Sequence, residues 1–504
     1  MSKMDRAVGA LLGSALGDAT AVPYEFGPPQ PSRDLLTPLA TPGGGPFHYP
    51  AGSWSDDTDM ALVIAGNLRV VDHRMAAGLD EIVEGWIAWA AQTPDVGNQT
   101  GSVLRSAQAL IAQGVAPAQA AAQASRELHD STGHTAGNGA LMRTTPLALA
   151  YLADTSPERA MVNAQRIAGL THYDKSAGIS AALWTAMIWR AMRTHTFDPT
   201  EGLNYLDDQE LADSWLTLID EALTRPSSEF PKNGWTVHAF QAALSIVNRA
   251  WHHSEMTGQE RFTSAVNQAI SDGGDTDTVA TIAGGLLGAL VGYSGLPSDA
   301  VRTLRSHDGS TTFFDLIALA HAVRAPQQAD YGVWPNAPRH DYPNTLHKPI
   351  AAHPYDEKVL LGQVHDLDDL PDEVTAVVSL CRIGREQIVR PGAQAFVWLI
   401  DDGFSNPDPE ATIHDAAVTI KRMRDEGHTV LVHCVQSHSR TPTVAAAYGM
   451  LITPNTEPDQ MLNEMVQAVR PASPNPRFRE ALRNLGVLAT APHERGAGAQ
   501  ARVK

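Results

Sequence analysis

The sequence predicts two consecutive domains of different class: an all-α domain over residues 1–325 and an α/β domain with a mainly parallel sheet over residues 355–490, joined by a linker at 326–354. Three observations predict this. Up to residue 325 apolar residues recur at helical spacing, with no period-two alternation of note. Residues 326–354 are rich in Pro, His and Asn and lack apolar periodicity, which is the texture of a boundary. Beyond them short β-branched runs alternate with helical patterns, as strand and helix units of a parallel sheet require.

At 504 residues the chain is too long for one hydrophobic core. Hydrophobic residues make up 43% and charged residues 18%, an ordinary globular balance. A net charge of −19 argues against a nucleic-acid backbone as partner, which calls for a basic face. Cys381 and Cys434 make no disulfide framework and fit a reducing, cytoplasmic compartment. Asp18 interrupts the N-terminal apolar stretch and no run has membrane-spanning length, so neither a signal peptide nor a membrane partner is expected. Residues 491–504 read as a disordered tail.

Taken in order, residues 4–19 read as a helix that is small and apolar nearly all round, with Gly9, Gly13 and Gly17 allowing close helix approach. AVPYEFGPP breaks it and carries Glu25 in a loop. A lone loop glutamate is commonly a solvated charge, but beside Tyr24 and Phe26 it can be partly buried and titrate high enough to act as acid or base. Residues 28–50 are Pro- and Gly-rich, a long loop that shapes or covers a site. GSWSDDTDM at 52–60 sets Ser55, Asp56 and Asp57 in succession at the head of an apolar helix. Ala-rich helices follow from 76 to 130, with Asp95 in a loop between them. In HTAGNGALMR the glycines at 137 and 139 let backbone N–H groups approach a ligand before a helix, a weak phosphate-binding signal. Helices run to about 200, the stretch 201–235 reads as polar loop, and helices resume at 236. SDGGDTDTVA then repeats the oxygen-rich pattern with Asp275, Asp277 and Thr278 at the head of another apolar helix.

Each cluster alone reads as helix capping, since Ser and Asp satisfy orphan N–H groups in any first turn. The repetition favours a second reading. Several carboxylates near a buried helix head must meet cations or water, and an all-oxygen set suits Mg²⁺, Mn²⁺ or Ca²⁺ but not Zn²⁺. If the clusters face each other, six ligands bracket a two-metal site.

GSALGDATAVPYEF, GSWSDDTDM, HTAGNGALMR and GGDTDTVA, in this order over about the first 320 residues, resemble the ADP-ribosylglycohydrolase family of the dinitrogenase-reductase-activating type. The resemblance implies an orthogonal all-α bundle around two Mg²⁺ or Mn²⁺ ions. It places Ser55, Asp56 and Asp57 in one ligand group and Asp275, Asp277 and Thr278 in the other. Glu25 falls on the family's loop glutamate, His134 and Asn138 on its ligand-contacting loop with Gly137 and Gly139, and Asp95 on a supporting acid. The implied activity is removal of ADP-ribose from ADP-ribosylated proteins or related ADP-ribosyl compounds.

In the second domain strands are expected at 374, 395 and 429 and helices at about 409–426, from 441 and from 458. HCVQSHSRT at 433–441 follows an apolar strand and precedes a helix. A thiolate at a helix N-terminus beside an arginine has a lowered pKa, and the loop amides can cradle a phosphate. Over about 355–485 this domain resembles the dual-specificity or tyrosine-phosphatase family. The resemblance implies Cys434 as nucleophile, Arg440 gripping the phosphoryl oxygens, Thr441 steadying the thiolate and Asp401 as general acid, with Asp402 as fallback. A phosphorylated protein would be the partner. Ser437 stands where that family usually has glycine, which puts the loop geometry in question. The rival reading is an ADP-ribose reader joined to a domain that only binds phosphate.

Overall fold

The computed structural model describes residues 1–70, 78–326, 334–343, 345–388, 393–402 and 404–490. The expected tail at 491–504 lies outside them. The chain forms two compact units, Met1–Pro338 and Arg339–Lys504.

The first unit is helical. Its α-helices among the described residues are α1 (Lys3–Ala21), α2 (Asp56–Leu68), α3 (Gly78–Ala90), α4 (Asn98–Ile111), α5 (Pro117–Thr132), α6 (Thr145–Ala150), α7 (Glu158–Gly169), α8 (Lys175–Thr194), α9 (Gln209–Thr224), α10 (Thr236–Trp251), α11 (Gly258–Asp272), α12 (Thr276–Val291), α13 (Ser298–Val301) and α14 (Phe313–Arg324). Helix α9 corrects the expected loop at 201–235: its buried face of Ala212, Trp215, Ile219 and Ala222 is spaced for a helix that polar residues cover on the other side.

Helices α1 and α12 are buried along nearly their whole lengths and form the centre of this unit. They run antiparallel and touch backbone to backbone. A Cβ at Gly9, Gly13 or Gly17 would lie 2.4, 2.5 or 2.3 Å from the carbonyl oxygens of Gly288, Gly284 and Ala280 respectively. Only residues without a side chain allow so close a crossing. The crossing carries the end of α1 to the head of α12.

The second unit holds a sheet of β1 (Ala351–His353), β2 (Asp356–Gln363), β3 (Ala376–Ser379), β4 (Gln394–Phe396) and β5 (Val430–Cys434). The order is β1-β2-β5-β3-β4, with β1 antiparallel to β2 and the other neighbours parallel. Helices α15 (Pro409–Asp425), α16 (Arg440–Ile452), α17 (Pro458–Ala468) and α18 (Pro476–Thr490) accompany it. Val359, Val378, Val432, Ile413, Ile420, Val444 and Phe478 meet in its core. The sheet starts at Ala351, inside the stretch read as linker, and β2 was not expected. Its sequence DEKVLLGQ opens on three charged residues, although Val359 and Leu361 are buried. Strand β5 ends at Cys434, at the carboxyl edge where open parallel sheets bind ligands. Among the described residues no helix is long and apolar enough to cross a membrane.

Candidate functional site

The α1–α12 crossing delivers Asp18 to Asp277, and the head of α2 closes on both. Single ligand oxygens of Asp18, Asp57 and Asp277 lie within 4.8 Å of one another, as do those of Glu25, Asp275 and Asp277. Asp277 belongs to both groups and joins them into one acidic centre. Asp18 anchors α2 there: it accepts from the Ser55 amide at 2.9 Å on one oxygen, and from the Thr58 amide and hydroxyl at 3.1 and 2.6 Å on the other.

Capping does not account for these acids. At α2 the cap is the Ser55 hydroxyl, which accepts from the Asp57 amide at 3.4 Å. Asp275 sits at the cap position of α12 but makes no capping bond. It accepts from the Asn138 side chain at 2.7 Å instead. Asp57 accepts from the hydroxyls of Ser55 and Thr278 at 3.1 and 3.3 Å on Oδ2, while its buried Oδ1 has no hydrogen-bond partner among the described residues. Oε2 of Glu25 is likewise buried without one.

The electrostatics point the same way. Burial pushes Asp18 up to about 7. Burial, then the charges of Asp95, Asp275 and Asp18, push Glu25 up to about 8. Burial raises Asp56, Asp57 and Asp277 well above the carboxylate range, with neighbouring carboxylates adding to it. Burial also raises Asp275, and Asp95 to about 6. Acids that penalise one another this strongly, with oxygens left unpartnered among the described residues, must either keep their protons or meet cations. The donor set is all oxygen and fits divalent ions such as Mg²⁺ or Mn²⁺.

In front of the acids lies a cavity of about 240 Å³ lined by Glu25, Phe26, Phe47, Asp56, Asp95, Gly137, Asn138, Gly139, His172, Asp275 and Thr278, among others. Of the expected residues Ser55, Asp57 and Asp277 sit behind this wall. His134 is exposed and does not line the cavity; His172 takes the place by the glycine loop. Burial, with Arg143 nearby, holds His172 well below its ordinary value, so it is neutral. Its Nδ1 shares a 2.8 Å hydrogen bond with the Thr171 hydroxyl. The tip of its ring lies against the loop: a Cβ at Gly137 or Gly139 would come within 3.3 or 3.2 Å of Nε2.

Asn233 carries no local signal in the sequence, and Phe26, expected only to help bury Glu25, reaches the cavity itself. Asn233 accepts from Asn138 on its carbonyl and from the Asp275 amide on Oδ1, and donates to the Gly273 carbonyl. It therefore clasps the glycine loop to the head of α12. Phe26, beside Glu25, is 67% exposed at φ 55°, a conformation that costs a residue with a side chain. Its amide bond to the Gly274 carbonyl at 2.7 Å holds it there, with its ring at the cavity.

In the second unit Cys434 ends β5 and Arg440 opens α16, with the loop between them. Burial would raise the Cys434 thiol, but Arg440, Thr441 and the His438 amide outweigh it and hold the thiol below its ordinary value. Ser437 takes φ 50° at the position that raised the question of loop geometry. Arg440 donates to the Leu399 carbonyl at 3.3 Å and lies 3.6 Å from the Asp401 carboxylate. Asp401 is thus at the loop, and it also accepts from Asn475 at 3.3 Å. Asp402 turns to its own loop, accepting from the amides of Phe404 and Ser405.

Curated relatives and solved structures match parts of this chain. ADP-ribosylarginine hydrolase Tri1 of Pseudomonas putida is 28% identical over 312 residues, covering 59% of this chain and 74% of that protein. ADP-ribosyl-dinitrogen reductase glycohydrolase of Rhodospirillum rubrum is 26% identical over 302 residues, covering 58% and 88%. A solved ADP-ribosylglycohydrolase-related protein complex aligns at 24% identity and TM-score 0.44 over 64% of this chain and 99% of its own, and human DUSP28 at 19% and 0.26 over 29% and 99%. The family model for ADP-ribosylglycohydrolase matches residues 1–330, well over half of the sequence, and the chain belongs to that family.

Proposed function

We propose that the first unit removes ADP-ribose from ADP-ribosylated proteins or related compounds with the help of two Mg²⁺ or Mn²⁺ ions. The observation that carries this is the pair of carboxylate groups sharing Asp277, with buried oxygens on Asp57 and Glu25 that no donor among the described residues satisfies. Ser55, Asp56 and Asp57 on one side and Asp275, Asp277 and Thr278 on the other would hold the ions, with Asp18 fixing the head of α2. When bound, such ions supply positive charge that orients ribose hydroxyls. Glu25, which lines the cavity, passes a proton to the leaving group or takes one from water. The amides of Gly137 and Gly139 face the diphosphate, while the Asn138 amide is held by the Gly234 carbonyl at 3.2 Å and, with His172, fixes the path of the loop. Asp95, joined to the Tyr49 hydroxyl at 3.3 Å, supports the cavity wall. Purified protein incubated with peptides ADP-ribosylated on arginine or on serine, with and without EDTA, tests the reading. EDTA-sensitive release of ADP-ribose supports it; binding without release would favour the reader.

For the second unit the proposal is a Cys-dependent phosphatase acting on a phosphorylated protein. Its support is a Cys434 thiol held below its ordinary value despite burial, with Arg440, Thr441 and Asp401 around it. Hydrolysis of an aryl phosphate by the full chain in EDTA, lost in Cys434→Ser and slowed in Asp401→Asn, is the expected result. Phosphate binding without turnover in the parent protein would leave a phosphate-binding domain instead.

A further inference from the structure

Lys348 lies in the stretch that reads as linker, yet it is only 7% exposed. Its ammonium donates to the Ser437 carbonyl at 3.3 Å, to the Val469 carbonyl at 3.4 Å and to the Pro471 carbonyl. An ammonium has three donors, and here each has a backbone acceptor. The segment is fastened twice more through Gln363 at the end of β2. The Gln363 side chain accepts from the Lys348 amide at 3.1 Å, and donates to the Leu346 carbonyl at 2.7 Å and the Gln436 carbonyl at 3.3 Å. Residues 346–348 are therefore tied to both Gln436 and Ser437 of the loop after Cys434.

We propose that Lys348 is a positioning residue for the Cys434 loop, holding its outward carbonyls so that its amides face the thiolate, and placing a buried positive charge behind it. A loop whose N–H groups converge on an anion turns its carbonyls away from that anion, and those carbonyls need donors. Lys348 supplies them at Ser437, the residue held at φ 50° without glycine's freedom. The far side of the loop is laced to the same 469–475 turn: Ser473 donates to the His438 carbonyl at 2.8 Å, and the Asn475 amide to the Ser439 hydroxyl at 3.3 Å. Three chain segments thus fix one loop, and Lys348 is where they meet.

The charge of Lys348 also has a counterpart. Burial lowers Lys348, and the Cys434 thiolate is the group that favours its charged form. The other groups facing Cys434 are Arg440, with Thr441 and the His438 amide, and Cys381, whose own thiol burial pushes up to about 12. The neighbouring His433 is buried and neutral, burial holding it down at about 4.

The inference rests on reading Cys434 as the thiolate of a phosphate loop, and the test separates the two. Alkylation of the full chain by iodoacetamide is followed against pH, with the modified Cys434 peptide quantified by mass spectrometry, with and without inorganic phosphate. Lys348→Met, which frees the Ser437 carbonyl and lets the loop amides turn from the thiolate, should move the half-maximal pH of alkylation upward and weaken protection by phosphate several-fold. Lys348→Arg, which keeps the charge and the donors, should stay near the parent profile. If Lys348→Met no longer melts cooperatively, Lys348→Gln, neutral but still a donor, takes its place. A Met or Gln variant with the parent's alkylation midpoint and phosphate protection overturns the role of Lys348 alone. A parent protein whose Cys434 alkylates like an ordinary thiol and gains nothing from phosphate overturns the phosphate-loop reading, and this inference with it.

Discussion

The glycine seam between α1 and α12 gives the sharpest test of how the fold builds the acidic centre. In Gly17→Ala the new Cβ would stand 2.3 Å from the Ala280 carbonyl oxygen, and in Gly9→Ala 2.4 Å from that of Gly288. Each falls short of ordinary contact by about 1 Å. The obstacle is helix backbone, which cannot rotate away, so the helices must part. Such overpacking costs about 1–3 kcal/mol, and the better helix propensity of alanine returns up to about 1 kcal/mol. Both variants should therefore be less stable by about 1–2 kcal/mol, a melting temperature lower by a few degrees. They should differ at the site. Gly17 adjoins Asp18, whose oxygens seat the head of α2 and lie within 4.8 Å of Asp57 and Asp277. Gly9 is two turns further away. We expect Gly17→Ala to bind Mn²⁺ about 10- to 100-fold more weakly, the usual effect of disturbing groups that orient ligands, and Gly9→Ala to bind it nearly as the parent does. Calorimetric Mn²⁺ titration beside thermal unfolding decides. Equal loss of stability with Mn²⁺ affinity unchanged in Gly17→Ala would refute the claim that the seam sets the ligand geometry.

Three further outcomes are expected. Glu25→Gln should lower kcat for ADP-ribose release by roughly 10² to 10⁴ with little change in ligand affinity; weakened binding at an unchanged maximal rate would make Glu25 a binding residue. Asp277→Asn should cost more Mn²⁺ affinity than Asp56→Asn, because Asp277 belongs to both carboxylate groups and Asp56 to neither; equal losses by titration would contradict the shared-ligand arrangement. His433 supplies a pH signature. Its folded pKa is about 4, below the unfolded value of about 6.5, so its contribution is complete above about pH 6.5 and is lost as pH falls toward 4. Between about pH 7 and about pH 4.5 the unfolding free energy of the second unit should drop by about 2–3 kcal/mol from this group. His433→Asn should remove that part of the slope in urea unfolding at the two pH values, and an identical slope in the variant would show that other groups carry it.

What the sequence disclosed follows from where the chemistry lies along it. Ser55, Asp56 and Asp57 are consecutive, as are Asp275, Thr276, Asp277 and Thr278, and each run opens an apolar helix; a donor cluster made within one helical turn is visible as a string. Cys434 and Arg440 belong to one loop between a strand and a helix, and are visible for the same reason. Asp18 shows the opposite case. Within α1 it is a single acid that reads as an interruption of an apolar run, and its meaning comes from amides and a hydroxyl 37 and 40 positions further on.

Asn233, His172 and Lys348 are hidden in the same way, since each acts on a segment chosen by packing and not by spacing. His134 lies in the glycine-loop motif and is exposed, while His172, three residues beyond α7, lies against the glycines. Helix α9 was missed because its polar face dominates its composition, although its buried residues keep helical spacing; strand β2 was missed because it opens on three charged residues and then buries Leu361, Gly362 and Gln363 in succession, which leaves no alternation to read. Local pattern thus exposes groups that act on their own neighbours in sequence. The residues that hold those groups at working distance become legible only when a long-range contact, such as a glycine seam with room for no Cβ, has been seen.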